Sequence, residues 1–397
     1  MNASKSAGRT APTAPSLVAV LREWGRIGCI GFGGPPTHIK LLRELCVQRQ
    51  GWIEAADFED AVAACNLLPG PASTQLSIFC AWRVRGRLGA LVGGAAFIVP
   101  GLILILALAA LFLAGAPPRW ILAAGAGAGA AIAAVAVHAA AGLMPPSWQR
   151  AQAAGRTRRL RWIGYLLAGT AAAATLGPWL VLILLACGVI ELLCRTSASG
   201  SGPRTMVPLP LIASSAISTG ILASVAWVAL KVGALSYGGG FVIIPLMQAD
   251  AVDHYHWMSN AQFLNAVALG QITPGPVVQT VAVVGYAAAG VTGGILAAVV
   301  AFSPSFAFIL IGASRFDQLR GDDRVRAFLD GAGPAAIGAI LGSAISLARA
   351  LTQPWQFAVL AAAAVLIFAL KRGVVFTLLL CAAAGIALVA LGTALPR

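Results

Sequence analysis

The chain has 397 residues, 59% of them hydrophobic and only 10% charged, with 45 Gly and 22 Pro. A soluble domain carries about 25% charged residues, so this chain cannot cover a water-facing surface and belongs to the membrane class. Its formal net charge of +14 would suggest nucleic acid in a soluble protein, whereas in a membrane protein its meaning depends on which loops carry it.

Residues 1–16 contain Lys5 and Arg9 but no continuous apolar stretch, which reads as a flexible cytoplasmic tail and not as a cleaved signal peptide. The stretch 26–75 is apolar only in patches, interrupted by glycines and by Pro69-Gly70-Pro71. Within it Glu54, Asp57, Glu59 and Asp60 read as the cap of a helix entering at Ala61. Windows 91–114 and 120–143 are long enough to cross a hydrocarbon core of about 30 Å. Windows 162–176 and 179–193, split by Gly177-Pro178, are shorter and could form one thin hairpin. A further crossing is expected at 209–230, then a second interrupted stretch at 231–280, then spans at 294–313, 325–347, 355–370 and 374–391. The total expected is 10 to 12 membrane segments.

The two interrupted stretches are copies of one another. Gly28, Gly33, Gly34, Trp52, Phe58 and Pro69-Gly70-Pro71 match Gly233, Gly238, Gly239, Trp257, Phe263 and Pro274-Gly275-Pro276, each 205 residues further on. Of the 46 positions from 26 to 71, 15 are identical at that offset, against about four expected at ordinary residue frequencies. The chain is therefore an internal duplication. The expected division is a tail (1–16), a first repeat (17–200), a connecting segment (201–222) and a second repeat (223–397).

Loop charges suggest that the copies insert in opposite directions. Arg83, Arg85 and Arg87 in the first half face a charge-free counterpart at 287–294. The next loop reverses the bias, with Arg119 against Arg315, Arg320, Arg324 and Arg326. The third reverses it again, with Arg150, Arg156, Arg158, Arg159 and Arg161 against Arg349. Arginines mark the cytoplasmic side, so the expected fold is an all-α polytopic membrane protein of two homologous halves in inverted topology, with broken or re-entrant helices. Residues 83–87, 150–161, 195–204, 315–326 and 371–372 are then cytoplasmic, as is the N-terminus. An odd number of crossings must separate the halves, hence the extra helix at 209–230.

Proline removes a backbone donor and glycine permits unusual angles, so Pro-Gly-Pro inside an apolar segment forces a break. Broken helices at bilayer depth line a cavity or a protein interior, and their free N–H groups suit an anion. The candidate substrate residues are accordingly Gly33, Gly34, His38, Asn66, Pro69, Gly70, Pro71, Ser73, Thr74 and Gln75 in the first half. Their second-half partners are Gly238, Gly239, Gln271, Thr273, Pro274, Gly275 and Pro276, with Gln279 and Thr280 close by. Arg26 and Lys231, equivalent under the offset, and Lys40 are candidate counter-charges, or else reach to an interface. A single proline break would read as a kinked packing helix; two in register favour a substrate site at the repeat interface. Glu191 reads as interfacial, His138 as a packing residue, and His254 and His256 as loop histidines.

No nucleotide loop, catalytic constellation or zinc motif is present, and the seven cysteines form no C-x-x-C pair, so no cofactor, metal or enzymatic activity is expected.

The segments 31–35, His38-Ile39, Trp52, 66–71 and 73–75, together with 231–233, 237–240, Pro245-Leu246 and 270–276, resemble the two halves of the chromate ion transporter family. The resemblance covers nearly the whole chain and implies a two-half member that exports chromate across the bacterial inner membrane and confers chromate resistance. Sulfate or another tetrahedral oxyanion is the alternative substrate, by transport or exchange, and a membrane scaffold a remote one. The bilayer is the other implied partner, nucleic acid is not, and a homodimer is conceivable. Two departures stand out: the basic pair expected after His-Ile is reduced to Lys40 and Arg43, and 246–260 carries Asp250 and Asp253 without Lys or Arg.

Overall fold

The computed structural model describes residues 15–67, 70–115, 117–175, 180–198, 220–236, 242–312 and 322–396. Among these every regular element is a helix and none is a strand, as an apolar environment requires: with no water to satisfy backbone groups, a spanning segment must satisfy its own. In the first half the helices are α1 Leu17–Ile30, α2 Pro35–Arg43, α3 Ala55–Leu67, α4 Ala72–Phe112, α5 Arg119–Ala130, α6 Ile132–Ala153, α7 Arg156–Thr175 and α8 Leu180–Ala198. In the second they are α9 Ile221–Leu235, α10 Ile243–Gln248, α11 Asn260–Ile272, α12 Thr280–Gly312, α13 Asp323–Arg349, α14 Pro354–Ala364 and α15 Val374–Ala390.

The duplication reaches the backbone. α3 and α11 share their bounds at an offset of 205, as do the π-helical turns Glu44–Arg49 and Ala249–His254 that extend α2 and α10. Beyond Pro-Gly-Pro the offset becomes 204. Arg85 (φ −142, ψ 23) and Gly86 (φ 63, ψ −155) interrupt α4, and Ala289 (φ −147, ψ 31) and Gly290 (φ 62, ψ −153) interrupt α12 in the same way. At each interruption the chain folds back, so that Ala81 packs on Gly89 and Gly93, and Gly285 on Gly293. Each of α4 and α12 is thus a short buried arm followed by a long span.

The arm of α4 also pairs with α3. Asp57, in the first turn of α3, meets Arg83 at the far end of the arm at 2.7 Å, so α3 and the arm form a re-entrant hairpin with Pro-Gly-Pro at its tip. α11 and the start of α12 repeat the hairpin, with Gly270 against Thr280 across the tip. α1 and α2, with Gly31 to Gly34 between them, form another fold-back, as do α9 and α10, whose arms are tied by Lys231–Asp250 at 2.6 Å. Each repeat therefore dips into the molecule twice before its long helices begin.

Four helical stretches are long and apolar enough to cross a membrane: Ala72–Phe112, Arg119–Ala153, Val277–Gly312 and Asp323–Arg349. These coincide with four of the expected windows, and the shorter apolar helices Pro354–Ala369 and Val374–Ala390 with two more. Ile103, Val299 and Ile311 stand exposed on outward faces, where hydrocarbon is the suitable solvent.

Three sequence expectations are corrected. α3 begins at Ala55, not Ala61, so Asp57 and Glu59 lie inside it and pair with Arg83 and Arg43. α7 and α8, with 20 and 19 residues, are both longer than the apolar windows expected there. The extra crossing expected at 209–230 is not one helix within the described residues: 221–230 belongs to α9, the counterpart of α1, and 209–219 lies outside them.

The long spans of α4 and α12 run in opposite directions where they meet. Gly94 of α4 lies on Phe306 of α12, while Gly294 of α12 lies on Leu106 of α4. α1 runs parallel to α4, with Trp24 on Gly93 and Gly28 on the Phe97 carbonyl. α15 runs against α5, with Gly385 at Ala123 and Cys381 at Gly127. Following these directions brings the start of α1, the turn 83–87, the end of α12, the α6–α7 junction and Lys371-Arg372 to one end of the molecule. That end is closed by an ionic cluster. Arg161 makes a bidentate contact with buried Glu191 (2.7 and 3.1 Å). Arg195 reaches both Glu191 and Asp330, and Arg158 meets Asp330 at 2.6 Å. α7 and α8 of the first half are thereby tied to α13 of the second.

Candidate functional site

The two hairpin tips of each repeat meet those of the other. The N–H of Gly70, in Pro69-Gly70-Pro71, donates to the carbonyl of Ser236, which caps the end of α9, at 2.7 Å. The N–H of Gly275, in Pro274-Gly275-Pro276, donates to the carbonyl of Gly31 at 3.0 Å. Gly70 and Gly275 are equivalent, and so are Gly31 and Ser236, so one contact is made twice with the halves exchanged, as across a two-fold axis. Gly70 (φ 117) and Gly275 (φ 96) occupy a region that L side chains rarely adopt. Glycine at the centre of the motif is what turns that N–H outward, toward the other half.

The Pro-Gly-Pro tips are buried in protein from Gly70 and from Thr273 onward, as breaks at membrane depth must be. Pro71 to Ala81 are all buried, as are Thr273 to Val284. Behind them lie the long spans, each weakened at the same level by a proline, Pro100 in α4 and Pro304 in α12. Gly28 and Gly233 seat α1 and α9 on the carbonyls of Phe97 and Ala301, where a Cβ would collide with backbone.

Three helix starts point into this centre. Gly34 (φ 75) caps α2 and lies 3.7 Å from Val277, measured from where its Cβ would be. α4 begins at Ala72 immediately behind one tip, and the 3₁₀ turn Val277–Gln279 leads into α12 behind the other. The first N–H groups of such helices lack intrahelical acceptors and sit at the positive end of the dipole.

Buried polar atoms without a partner concentrate here. Among the described residues they include Thr74 Oγ1, Ser77 Oγ, Ser236 Oγ, Gln271 Nε2, Gln279 Oε1 and Ser305 Oγ. Such groups are rare in folded interiors and ordinarily mark a site for water or an ion. Gln75 lies over Gly70, and its counterpart Gln279 lies over Gly275 while donating through Nε2 to the carbonyl of Ile98 at 2.7 Å. Thr273 spends its hydroxyl on the Leu269 carbonyl (2.8 Å). His38 is fully buried, with Nε2 2.8 Å from the Gly31 carbonyl, Nδ1 3.2 Å from Ser73 Oγ, and its ring edge-on to Phe97.

Of the residues expected at a substrate site, the structure therefore gathers Gly34, His38, Gly70, Pro71, Ser73, Thr74, Gln75, Gln271, Thr273, Pro274, Gly275 and Pro276 at one centre. Gly33 is exposed beside it. Pro69, Gly238, Gly239 and the side chain of Asn66 lie outside the described residues. The counter-charges are not gathered: Arg26 and Lys40 are exposed, and Lys231 is engaged by Asp250 and stands 5.6 Å over the Trp227 ring. The reading missed Ser77 and Ser305; the prolines shared by both long spans were the signal that could have led to Ser305, which follows Pro304. Clefts of about 650 and 300 Å³ lie elsewhere, one apolar beside Val137, Leu341 and Phe368, the other beside Gln262, Asn265 and Gln356. His138 packs on Phe368, His254 on Tyr255, and His256 hydrogen-bonds the Val252 carbonyl at 2.8 Å.

Paired re-entrant hairpins meeting inside a bundle of long apolar helices define a polytopic all-α membrane protein built from two repeats. The chain belongs to the chromate transporter family, whose sequence model matches residues 18–192 and 223–386. It is 32% identical over 350 residues to a chromate transport protein of Cupriavidus metallidurans, covering 86% of this chain and 84% of that one. It is 28% identical to a probable chromate transport protein of Synechococcus elongatus, over 84% of this chain and 85% of the relative. An uncharacterised transporter of Methanocaldococcus jannaschii is 25% identical over 77% of this chain and 78% of its own length. No solved structure matches.

Proposed function

We propose that the chain is a secondary transporter, without enzymatic activity, that moves chromate out of the cytoplasm through the centre where the four tips meet, and so confers chromate resistance. The observation that carries this reading is the reciprocal exchange between Gly70 and Ser236 and between Gly275 and Gly31. It joins the halves at their weakest backbone, amid helix starts and unpartnered polar atoms suited to a tetrahedral oxyanion. The relatives named as chromate transport proteins supply the substrate. A scaffold has no need of paired breaks lined with unpartnered polar atoms.

Inverted topology is part of the proposal. The opposed directions of α4 and α12 favour it, and so does the collection of 83–87, 150–161, Arg195 and 371–372 at one end. By the positive-inside rule that end is cytoplasmic, and α1 starts there.

The energetics favour export. An inside-negative potential contributes about 2.3 kcal/mol per charge per 100 mV, hence about 4.6 kcal/mol for a dianion, a concentration ratio above about a thousandfold. Uptake of sulfate would need a coupled cation or exchange. Labelled chromate flux into everted vesicles under a clamped potential, with sulfate as competitor, tests substrate and direction together. Wild-type flux should rise with interior-positive potential in the everted vesicle, and Pro69→Ala and Pro274→Ala should abolish it while still inserting. Wild-type flux from both variants would sink the site, and flux driven by the opposite potential would reverse the direction.

A further inference from the structure

His38 is the titratable side chain at the meeting point of the tips, and both its ring nitrogens are committed. Its Nε2 lies 2.8 Å from the Gly31 carbonyl, the same oxygen that accepts the Gly275 N–H at 3.0 Å. A carbonyl only accepts, so Nε2 carries a hydrogen in either charge state. The charge state is therefore decided at Nδ1, 3.2 Å from Ser73 Oγ. In neutral His38, Nδ1 accepts, and the Ser73 hydroxyl must spend its hydrogen on the ring. In the imidazolium, Nδ1–H donates to Ser73 Oγ, and the hydroxyl hydrogen is released to a different acceptor.

Ser73 is the second residue of α4, directly behind the Gly70 tip and next to Thr74, whose hydroxyl has no partner. With neutral His38 the serine oxygen offers an oxyanion only lone pairs; with protonated His38 it offers an O–H donor beside a positive charge. We infer that His38 is the proton-coupling residue of the transporter, acting on the oxyanion through Ser73 as a positioning residue, so that one proton binds with each oxyanion. The net charge carried is then minus one, and the potential-driven concentration ratio given above falls to its square root while still favouring export. This rests on the transport reading above. Linkage makes the coupling reciprocal: whatever the proton adds to anion affinity, the anion adds to proton affinity.

The surroundings leave this role to His38. From α1 it meets the Gly31 carbonyl, and from α4 the Ser73 hydroxyl and the Phe97 ring. The charged groups of these elements are engaged or exposed elsewhere: Glu23 with Arg22 and Arg49, Arg43 with Glu59, and Arg83 with Asp57. Arg26, Lys40, Arg85 and Arg87 are exposed, and Cys80 lies against Cys46. From the second half the stretch 270–284 holds no titratable side chain, and the counterpart of His38 is Ile243. The two-fold is thus broken at His38, whose counterpart cannot bind a proton, leaving one coupling group at the meeting point among the described residues.

The test is chromate transport by the full chain in proteoliposomes across the range in which imidazole titrates, comparing wild type, His38→Gln and Ser73→Ala. Gln can donate to Gly31 and accept from Ser73 but cannot bind the proton. The wild type should lose affinity about tenfold per pH unit above the histidine's titration relative to His38→Gln, as one linked proton requires; chromate's own ionisation is common to both. Ser73→Ala should bind more weakly than wild type at low pH and converge with it at high pH, where the hydroxyl is spent on the ring. Parallel pH profiles for wild type and His38→Gln would overturn the inference, as would an equal loss for Ser73→Ala at every pH, which decides the matter if His38→Gln fails to fold. Absence of chromate flux in the wild type would instead overturn the transport reading beneath it.

Discussion

At the scale of single residues, Lys231 shows how an equivalence in sequence can conceal a difference in environment. Arg26 and Lys231 occupy the same place in the repeat, yet Arg26 is exposed while Lys231 is tied to a largely buried Asp250, whose counterpart in the first half is Leu45. Removing the lysine leaves a buried carboxylate without its partner, and breaking such a pair costs about 3–5 kcal/mol. Part of that is reduced here because Lys231 is one-fifth exposed. Lys231→Gln is therefore expected to lower the thermal midpoint of the purified protein, and Lys231→Gln with Asp250→Asn to restore most of it. Arg26→Gln should leave the midpoint unchanged. A destabilised double variant would show that the lysine does something other than neutralise Asp250. The same pairing neutralises one of the two carboxylates of 246–260.

Among the helices, the repeat is most faithful where the backbone is least regular. The π-turns, the Pro-Gly-Pro tips and the positive-φ turns at Gly86 and Gly290 recur at fixed offsets. The helices after α6 match their counterparts less closely in length. The irregular segments were legible in sequence because proline and glycine restrict or extend the backbone whatever surrounds them. The partners of the regular helices were not, because an apolar face in a membrane can pack on any other. Glu191 illustrates the second case. Its sequence position suggested an interfacial side chain, but it is buried and held by Arg161, Arg195 and Tyr165, with Asp330 binding Arg195 and Arg158 from the other half. Glu191→Gln should destabilise the fold by about 3–5 kcal/mol, read as earlier loss of the monodisperse peak on heating. Asp57→Asn, which breaks an exposed pair with Arg83, should cost at most about 1 kcal/mol. Equal effects would mean that the cluster does not hold the halves together.

For the whole molecule, the expected topology makes a prediction about sides. In a chain whose exposed Cys29 and Cys194 have been replaced, single cysteines at Arg87, Arg156 and Arg372 should react with a membrane-impermeant thiol reagent only in everted vesicles. Cysteines at Arg119 and Val291 should react only in intact cells. Labelling of Arg87 and Val291 from the same side would exclude inverted repeats, because these positions flank equivalent turns of α4 and α12.

The amino-acid sequence by itself determined that the chain lives in a membrane, that it is a duplication, where its backbone breaks and which of its loops carry its arginines. Each of these follows from composition, from residues with strong intrinsic backbone preferences, or from charges too costly to bury. Only the tertiary structure decided that the breaks are hairpin tips, that the tip of each half is hydrogen-bonded to the other half, and that Lys231 is paired while His38 bridges Gly31 and Ser73. The contacts between tips join residues far apart in the chain through backbone N–H and C=O groups, which every residue carries alike, so no residue type announces them; the Lys231 and His38 contacts pair side chains that only the fold brings together.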